Sequence, residues 1–137
     1  MRPDMVCGAA LARAAAGMLG CPFRLYGRDP ARGLDCVGLV CASLEALGLS
    51  ADWPAGYRLR NSAISSWLAC AERSHLTLGK GPLLPGDIVL FAPGLGQQHL
   101  VIVDSGEQMI HAHAGLCKVV RQPLALPNDR LAHWRLA

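Results

Sequence analysis

The sequence predicts a single α+β domain, with helices in its first half and an antiparallel sheet in its second. Apolar residues recur at helical spacing early in the chain, and after Lys80 short β-branched segments alternate with turn residues. The length of 137 residues supplies one core, spanning 1–137, and leaves no room for a separate cofactor-binding module. Hydrophobic residues make up 52% and charged residues 17%, enough apolar material to bury that core without disulfide staples.

Residues 5–19 read as a helix with Val6, Ala9, Ala10, Arg13, Ala14 and Gly17 on one face, ended near Gly20 and Pro22. Met18-Leu19-Gly20-Cys21 brushes against a lipoprotein cleavage pattern, but Arg13 interrupts the apolar run that a secretory leader needs. The expectation is therefore a protein without a leader, cytoplasmic at synthesis. A loop from Tyr26 to Gly33 leads to Asp35, which suits the N-cap of a second helix, Cys36 to Leu47, with Gly48 as its stop. A third, weaker helix covers Ala63 to Arg73; in the surrounding stretch, 50–80, Trp53, Tyr57 and Trp67 either join the core or shape a cleft.

Beyond Lys80-Gly81-Pro82 the pattern becomes that of strands: Asp87 to Phe91, Leu100 to Val103 with His99 opening it, Gln108 to Ala112, and Lys118 to Arg121. These form an antiparallel meander. Ala132 to Leu136 adds a last edge strand, and Asp87 serves the Pro85-Gly86 turn.

Composition excludes several classes. The formal charge is +3 with no Lys/Arg run, so there is no nucleic-acid or polybasic membrane footprint. The longest charge-free run, Ile88 to Val103, is broken by Pro93, Gly94 and Gly96 and falls short of the ~20 apolar residues that span a bilayer. No membrane insertion is expected. Six cysteines contain no C-x-x-C pair, so most of them, Cys41 included, read as small buried hydrophobes.

Cys36 stands apart because it follows the predicted N-cap, at the positive end of a helix, where a thiolate is favoured. A thiol near its ordinary pKa of about 8.5 is only about 3% ionised at pH 7, so a neighbouring imidazole is also needed. If Asp104, Ser105 and Gly106 form a three-residue turn, Val103 pairs with Glu107, Val101 with Met109 and His99 with His111, which puts both imidazoles on one face. His111 then orients His99 while His99 takes the thiol proton. His113 either lines the cleft, binds a metal with His111, or simply faces solvent at a strand end. Cys36, His99 and His111 also have the residue types of a zinc site, although no fourth ligand is evident.

The runs Gly33-Leu34-Asp35-Cys36-Val37-Gly38-Leu39-Val40, Leu84-Pro85-Gly86-Asp87-Ile88-Val89-Leu90-Phe91, His99-Leu100-Val101-Ile102-Val103 and Met109-Ile110-His111-Ala112 resemble the NlpC family of papain-like cell-wall cysteine peptidases. The resemblance covers residues 8–121 in the family's motif order, including the twelve-residue step from His99 to His111. Pro22-Phe23-Arg24 to Asp29-Pro30, with the run to Gly38, looks most like the branch found in phage tails and gene transfer agents.

The resemblance implies a papain-like fold without a cofactor. It implies Cys36 as nucleophile, His99 as general base, His111 as the third member, and the Cys36 backbone N–H in the oxyanion hole. The implied substrate is the peptidoglycan stem peptide, cut between D-glutamate and a diamino acid, and the implied partners are tail-tip or hub proteins of a phage-like particle. Such an enzyme would be carried in the particle's tail and act in the target cell's periplasm. Two positions depart from the family. Phe23 stands where many members carry a tyrosine whose hydroxyl assists the substrate, a part Tyr26 could take; Val37 stands where a serine is usual. Asp35 has two readings, N-cap or contact to a substrate amine. These losses leave an inactive structural module of the tail as the alternative.

Overall fold

A computed structural model of the chain describes residues 7–51, 71–91, 99–104, 107–124 and 130–136. Two helices, α1 (Gly8–Ala16) and α2 (Cys36–Ala46), lie on a six-stranded antiparallel sheet. Between them β1 (Arg28–Asp29) pairs with β2 (Gly33–Leu34) in a ribbon too short to be legible as strand in the sequence. The sheet comprises β3 (Leu76–Leu78), β4 (Ile88–Phe91), β5 (His99–Val103), β6 (Gln108–His113), β7 (Lys118–Pro123) and β8 (Arg130–Leu136) in the order β3-β8-β4-β5-β6-β7. The α+β architecture is thus as the sequence predicts. Among the described residues no helix is long and apolar enough to cross a membrane.

The period of two along the strands sorts the side chains into two layers. Ile88, Leu90, Leu100, Ile102, Ile110 and Ala112 turn toward the helices and pack with Leu11, Ala15, Leu39, Val40 and Leu44. Val89, Val101, Val103 and Met109 form a smaller cluster on the other face. Every residue of α2 from Cys36 to Leu44 is buried, as expected of a helix enclosed on all sides rather than lying on a surface. Its start is held against the preceding loop by close backbone approach. A side chain at Gly38 would collide with the carbonyl of Gly27, and one at Gly27 with the carbonyl of Gly33.

Several expectations are corrected. The first helix begins at Gly8 and buries Ala10, Leu11, Ala12 and Ala15, whereas Ala9 and Arg13 are exposed, so the core-facing side is rotated from the predicted one. Leu11 is its only large apolar side chain, and an alanine-rich helix turns toward whichever face buries that one. The third predicted helix and Trp53, Tyr57 and Trp67 lie outside the described residues, except for the helix's end, where Ala71 is helical as predicted and Glu72–Ser74 tightens into a 3-10 turn. The last strand is no edge: β8 lies between β3 and β4 and pairs with both. A strand so placed has both ladders satisfied, while β3, missed in the sequence, takes one outer position. At the other edge, β7 is flanked by residues 20–23 through bonds of Gly20 N–H to the Val119 carbonyl and Phe23 N–H to the Cys117 carbonyl.

The β5–β6 register also differs. Ile102 pairs with Ile110 and Val103 with Met109, two residues from the expected alignment, and Asp104 N–H donates to the Gln108 carbonyl. A shift of two keeps every side chain on its face, so the shared side of His99 and His111 survives the correction. The ladder stops at Ile102–Ile110, and the two strands part before His99.

Candidate active site

Asp35 caps α2 as the sequence predicts. One carboxylate oxygen accepts the Gly38 N–H at 2.8 Å and the other accepts the Tyr26 N–H at 2.8 Å. Asp35 is fully buried. The structure therefore places it as a cap that also ties the loop to the helix. Tyr26 occupies the left-handed region at φ 62°, and its side chain is half-exposed.

Cys36, the first residue of α2, is fully buried. The N–H groups of Leu100, Val37 and Cys36 itself aim at its sulfur. Leu100 is the informative one. Continuing the β5–β6 ladder by two residues from Ile102–Ile110 would give its N–H to Ala112, but the ladder has ended and the N–H meets the thiol instead. The sulfur thus lies beside the peptide joining His99 to Leu100.

His99 Nε2 lies 2.9 Å from His111 Nδ1, with the rings edge-on at 76° and their centroids 5.1 Å apart. His111 Nε2 in turn lies 2.7 Å from Gln122 Oε1 on β7. The structure thereby joins His99 and His111 as expected and adds Gln122, which the sequence reading missed. The signal was available only through the β6–β7 register, where Met109 faces Gln122 and His111 faces Val120, so that Gln122 is the diagonal neighbour of His111. The His113 ring stands 5.4 Å from that of His111, but its Nδ1 accepts the Leu116 N–H at 3.0 Å. It closes the β6–β7 turn. Among the described residues no group of three His, Cys, Asp or Glu is arranged to hold a metal ion, so the zinc reading gains no support.

The electrostatics reverse one expectation. Burial, reinforced by the Asp35 carboxylate, pushes the Cys36 thiol up to about 12, against the smaller lowering by the N–H groups around it. Loss of water outweighs the helix end, whose effect is at most about 2 kcal/mol. Burial also lowers His99 from 6.5 to about 4, helped by the charges His111 and His113 would carry if protonated. His111 is lowered by burial, opposed by its bond to Gln122. At neutral pH the enclosed site therefore holds a neutral thiol and neutral imidazoles.

The lowered His99 has a consequence for stability. The unfolded chain takes up a proton near 6.5 while the folded His99 resists until about 4, so stability contributed above pH 6.5 is lost as pH falls through that window. We expect the urea midpoint to fall from pH 7 to pH 4.5, and to fall less in a His99→Gln variant. Equal pH dependence in the two proteins would contradict this assignment.

Comparison with known proteins agrees with these elements. Residues 20–127 match the NlpC/P60 family. The probable endopeptidase NlpC of Escherichia coli (strain K12) is 31% identical over 99 residues, 68% of this chain and 53% of that protein, so the chain spans about half the length of this curated relative. Among solved structures, NlpC2 from Trichomonas vaginalis superposes with a TM-score of 0.68 at 21% identity, over 93% of this chain and 47% of that one. The peptidoglycan hydrolase RipB from Mycobacterium tuberculosis gives 0.60 at 20% identity, over 98% and 67%. At such identities these two speak for the fold. The family match runs from the residues flanking β7 through α2 and the paired histidines to beyond the end of β7, and on that extent the chain belongs to the NlpC/P60 family.

Proposed function

We propose that the chain is a cysteine endopeptidase that hydrolyses amide bonds in peptidoglycan stem peptides, between D-glutamate and a diamino acid. The observation that carries this reading is the Cys36 sulfur beside the His99–Leu100 peptide, with His99 hydrogen bonded through Nε2 to His111. The names of a probable endopeptidase and a peptidoglycan hydrolase among its relatives support the substrate class. In this reading His99 Nδ1 takes the Cys36 proton as the sulfur attacks the peptide carbonyl. Transfer accompanies attack, because the neutral pair holds no preformed thiolate. The Cys36 N–H at the helix start stabilises the oxyanion, and His99 returns the proton to the leaving amine. Water, activated by His99, then releases the acyl group from sulfur. Because Cys36 has no exposed surface, the groups covering it part before a substrate carbonyl reaches Sγ.

The same proposal places the enzyme in the tail of a phage or gene transfer agent, made in the cytoplasm, held by tail-tip or hub proteins and acting in the target's periplasm. Its support is the resemblance of the segment from Pro22 to Gly38 to that branch. A second reading, a structural tail module that keeps the fold without activity, is favoured by the enclosed, protonated thiol and by Phe23 and Val37. Digestion of diaminopimelate-type peptidoglycan, with the released muropeptides identified by mass spectrometry, separates the two. New termini at the γ-D-glutamyl bond are expected. No release by folded, reduced protein, alone and with its tail proteins, would give the structural reading the lead.

A further inference from the structure

We propose that Gln122 is a positioning residue that sets which nitrogen of His99 accepts the thiol proton, by fixing the proton arrangement of two imidazoles in series. This rests on the peptidase reading of the same site. A neutral imidazole carries one N–H and one lone pair, so a bond at one nitrogen dictates what the other can do. The Gln122 Oε1, 2.7 Å from His111 Nε2, is an acceptor only, which places the His111 proton on Nε2. His111 Nδ1 is then a lone pair. It accepts from His99 Nε2 at 2.9 Å, which places the His99 proton on Nε2 as well. His99 Nδ1 is left as the basic nitrogen, the one that the proposed proton transfer uses.

The chain of donors points away from the thiol: His99 gives to His111, and His111 to Gln122. When His99 takes the Cys36 proton it becomes an imidazolium with N–H at both nitrogens, and its Nε2–H keeps its acceptor. No proton leaves His99, so His111 stays neutral and the balance closes on two residues, Cys36 losing what His99 gains. Were Gln122 to present its amide nitrogen instead, both rings would reverse and His99 Nδ1 would carry the proton when the thiol needs a base. Gln122 lies on β7, one strand beyond His111, so the carboxamide acts across the β6–β7 ladder without touching the reacting atoms. The titratable neighbour on the same face is His113, whose Nδ1 is already engaged by the Leu116 N–H.

Long-range proton–nitrogen NMR of histidine-labelled protein at pH 7 reads the arrangement directly. The expected pattern is N–H at Nε2 and a lone pair at Nδ1 for both His99 and His111. Gln122→Leu should mix the His111 forms and lower kcat at least about tenfold with KM within about twofold, since orientation of the base and not substrate affinity is lost. Gln122→Glu, which can only accept when ionised, should restore both the ring pattern and most of kcat. A wild-type His99 protonated at Nδ1, or unchanged ring signals in Gln122→Leu, overturns the proposal. So does a loss of kcat in Gln122→Leu that Gln122→Glu does not rescue. The ring pattern is read whether or not the protein cleaves peptidoglycan, so failure of this relay and failure of the peptidase reading are distinguishable.

Discussion

Cys36→Ala is expected to reduce release of cleaved stem peptides to the uncatalysed background, a loss of at least about 10⁴-fold. Cys41 cannot stand in for the sulfur. Cys41, the nearest cysteine in sequence, is five residues further along α2, about one and a half turns, and so leaves the helix on another side, where it is also buried. The fold should tolerate the change. Removing one enclosed sulfur costs on the order of 1 kcal/mol through the small cavity left behind, and its neighbours include apolar side chains, three backbone N–H groups and the Asp35 carboxylate, which the cap bonds hold in place. The check is the muropeptide release rate beside the urea midpoint. Retained cleavage with an unchanged midpoint would remove Cys36 from the mechanism, because an unfolded variant could not produce that pair of results.

Asp35→Ala is expected to have the largest effect on stability, about 2–4 kcal/mol. The helix cap contributes about 1 kcal/mol, and the Tyr26 N–H, left without its acceptor, adds a further 1–3 kcal/mol. The loss falls where the loop meets the start of α2, so the position of Cys36 should loosen with it. Asp35→Asn keeps one acceptor oxygen and should recover about half the stability. It also removes the carboxylate charge that helps hold the thiol up, and so should bring the Cys36 pKa below about 12. Because burial is the larger cause, the thiol should still titrate above its ordinary range. Urea unfolding of both variants tests the first claim, and the pH dependence of iodoacetamide labelling at Cys36 tests the second. A midpoint shift in Asp35→Ala worth less than about 1 kcal/mol would mean that water replaces the carboxylate at both N–H groups.

Local rules carried much of this structure. Asp35 as N-cap, Gly48 at φ 80° after α2, and the four-strand meander β4 to β7 all follow from residue type and spacing. Asp87 serves the turn before β4, as predicted, by accepting the Leu84 N–H at 2.9 Å. Its paired bonds to Arg135, from Nε at 2.9 Å and Nη2 at 2.8 Å, were not legible, because they join residues 48 apart whose meeting depends on β8 entering the sheet beside β4. The two-residue register error between β5 and β6 has a similar origin. Pairing Val103 with Glu107 rather than with Met109 costs nothing in local terms, and only the tertiary ladder decides. The candidate site was half legible: the period of two placed His99 and His111 together, but the direction of the thiol pKa depended on how completely Cys36 is enclosed, which no spacing conveys.

The place of β8 bears on how the protein comes to be made. Residues 130–136 are synthesised after every other strand, yet β3 is joined to the rest of the sheet only through them. Until that segment has emerged from the ribosome, β4 presents a bare rim of N–H and C=O groups, and β3 has nothing to pair with. Such a rim is a template for other chains, so the nascent protein is most prone to stick to its neighbours until residues 130–136 have joined the sheet. The contacts β8 closes reach back to Leu76, which pairs with Leu136, and the loop-closure entropy of that non-local pairing delays the step. Assembly of the meander from β4 to β7 can proceed early, but the finished sheet waits for its last-made strand to slide into the middle.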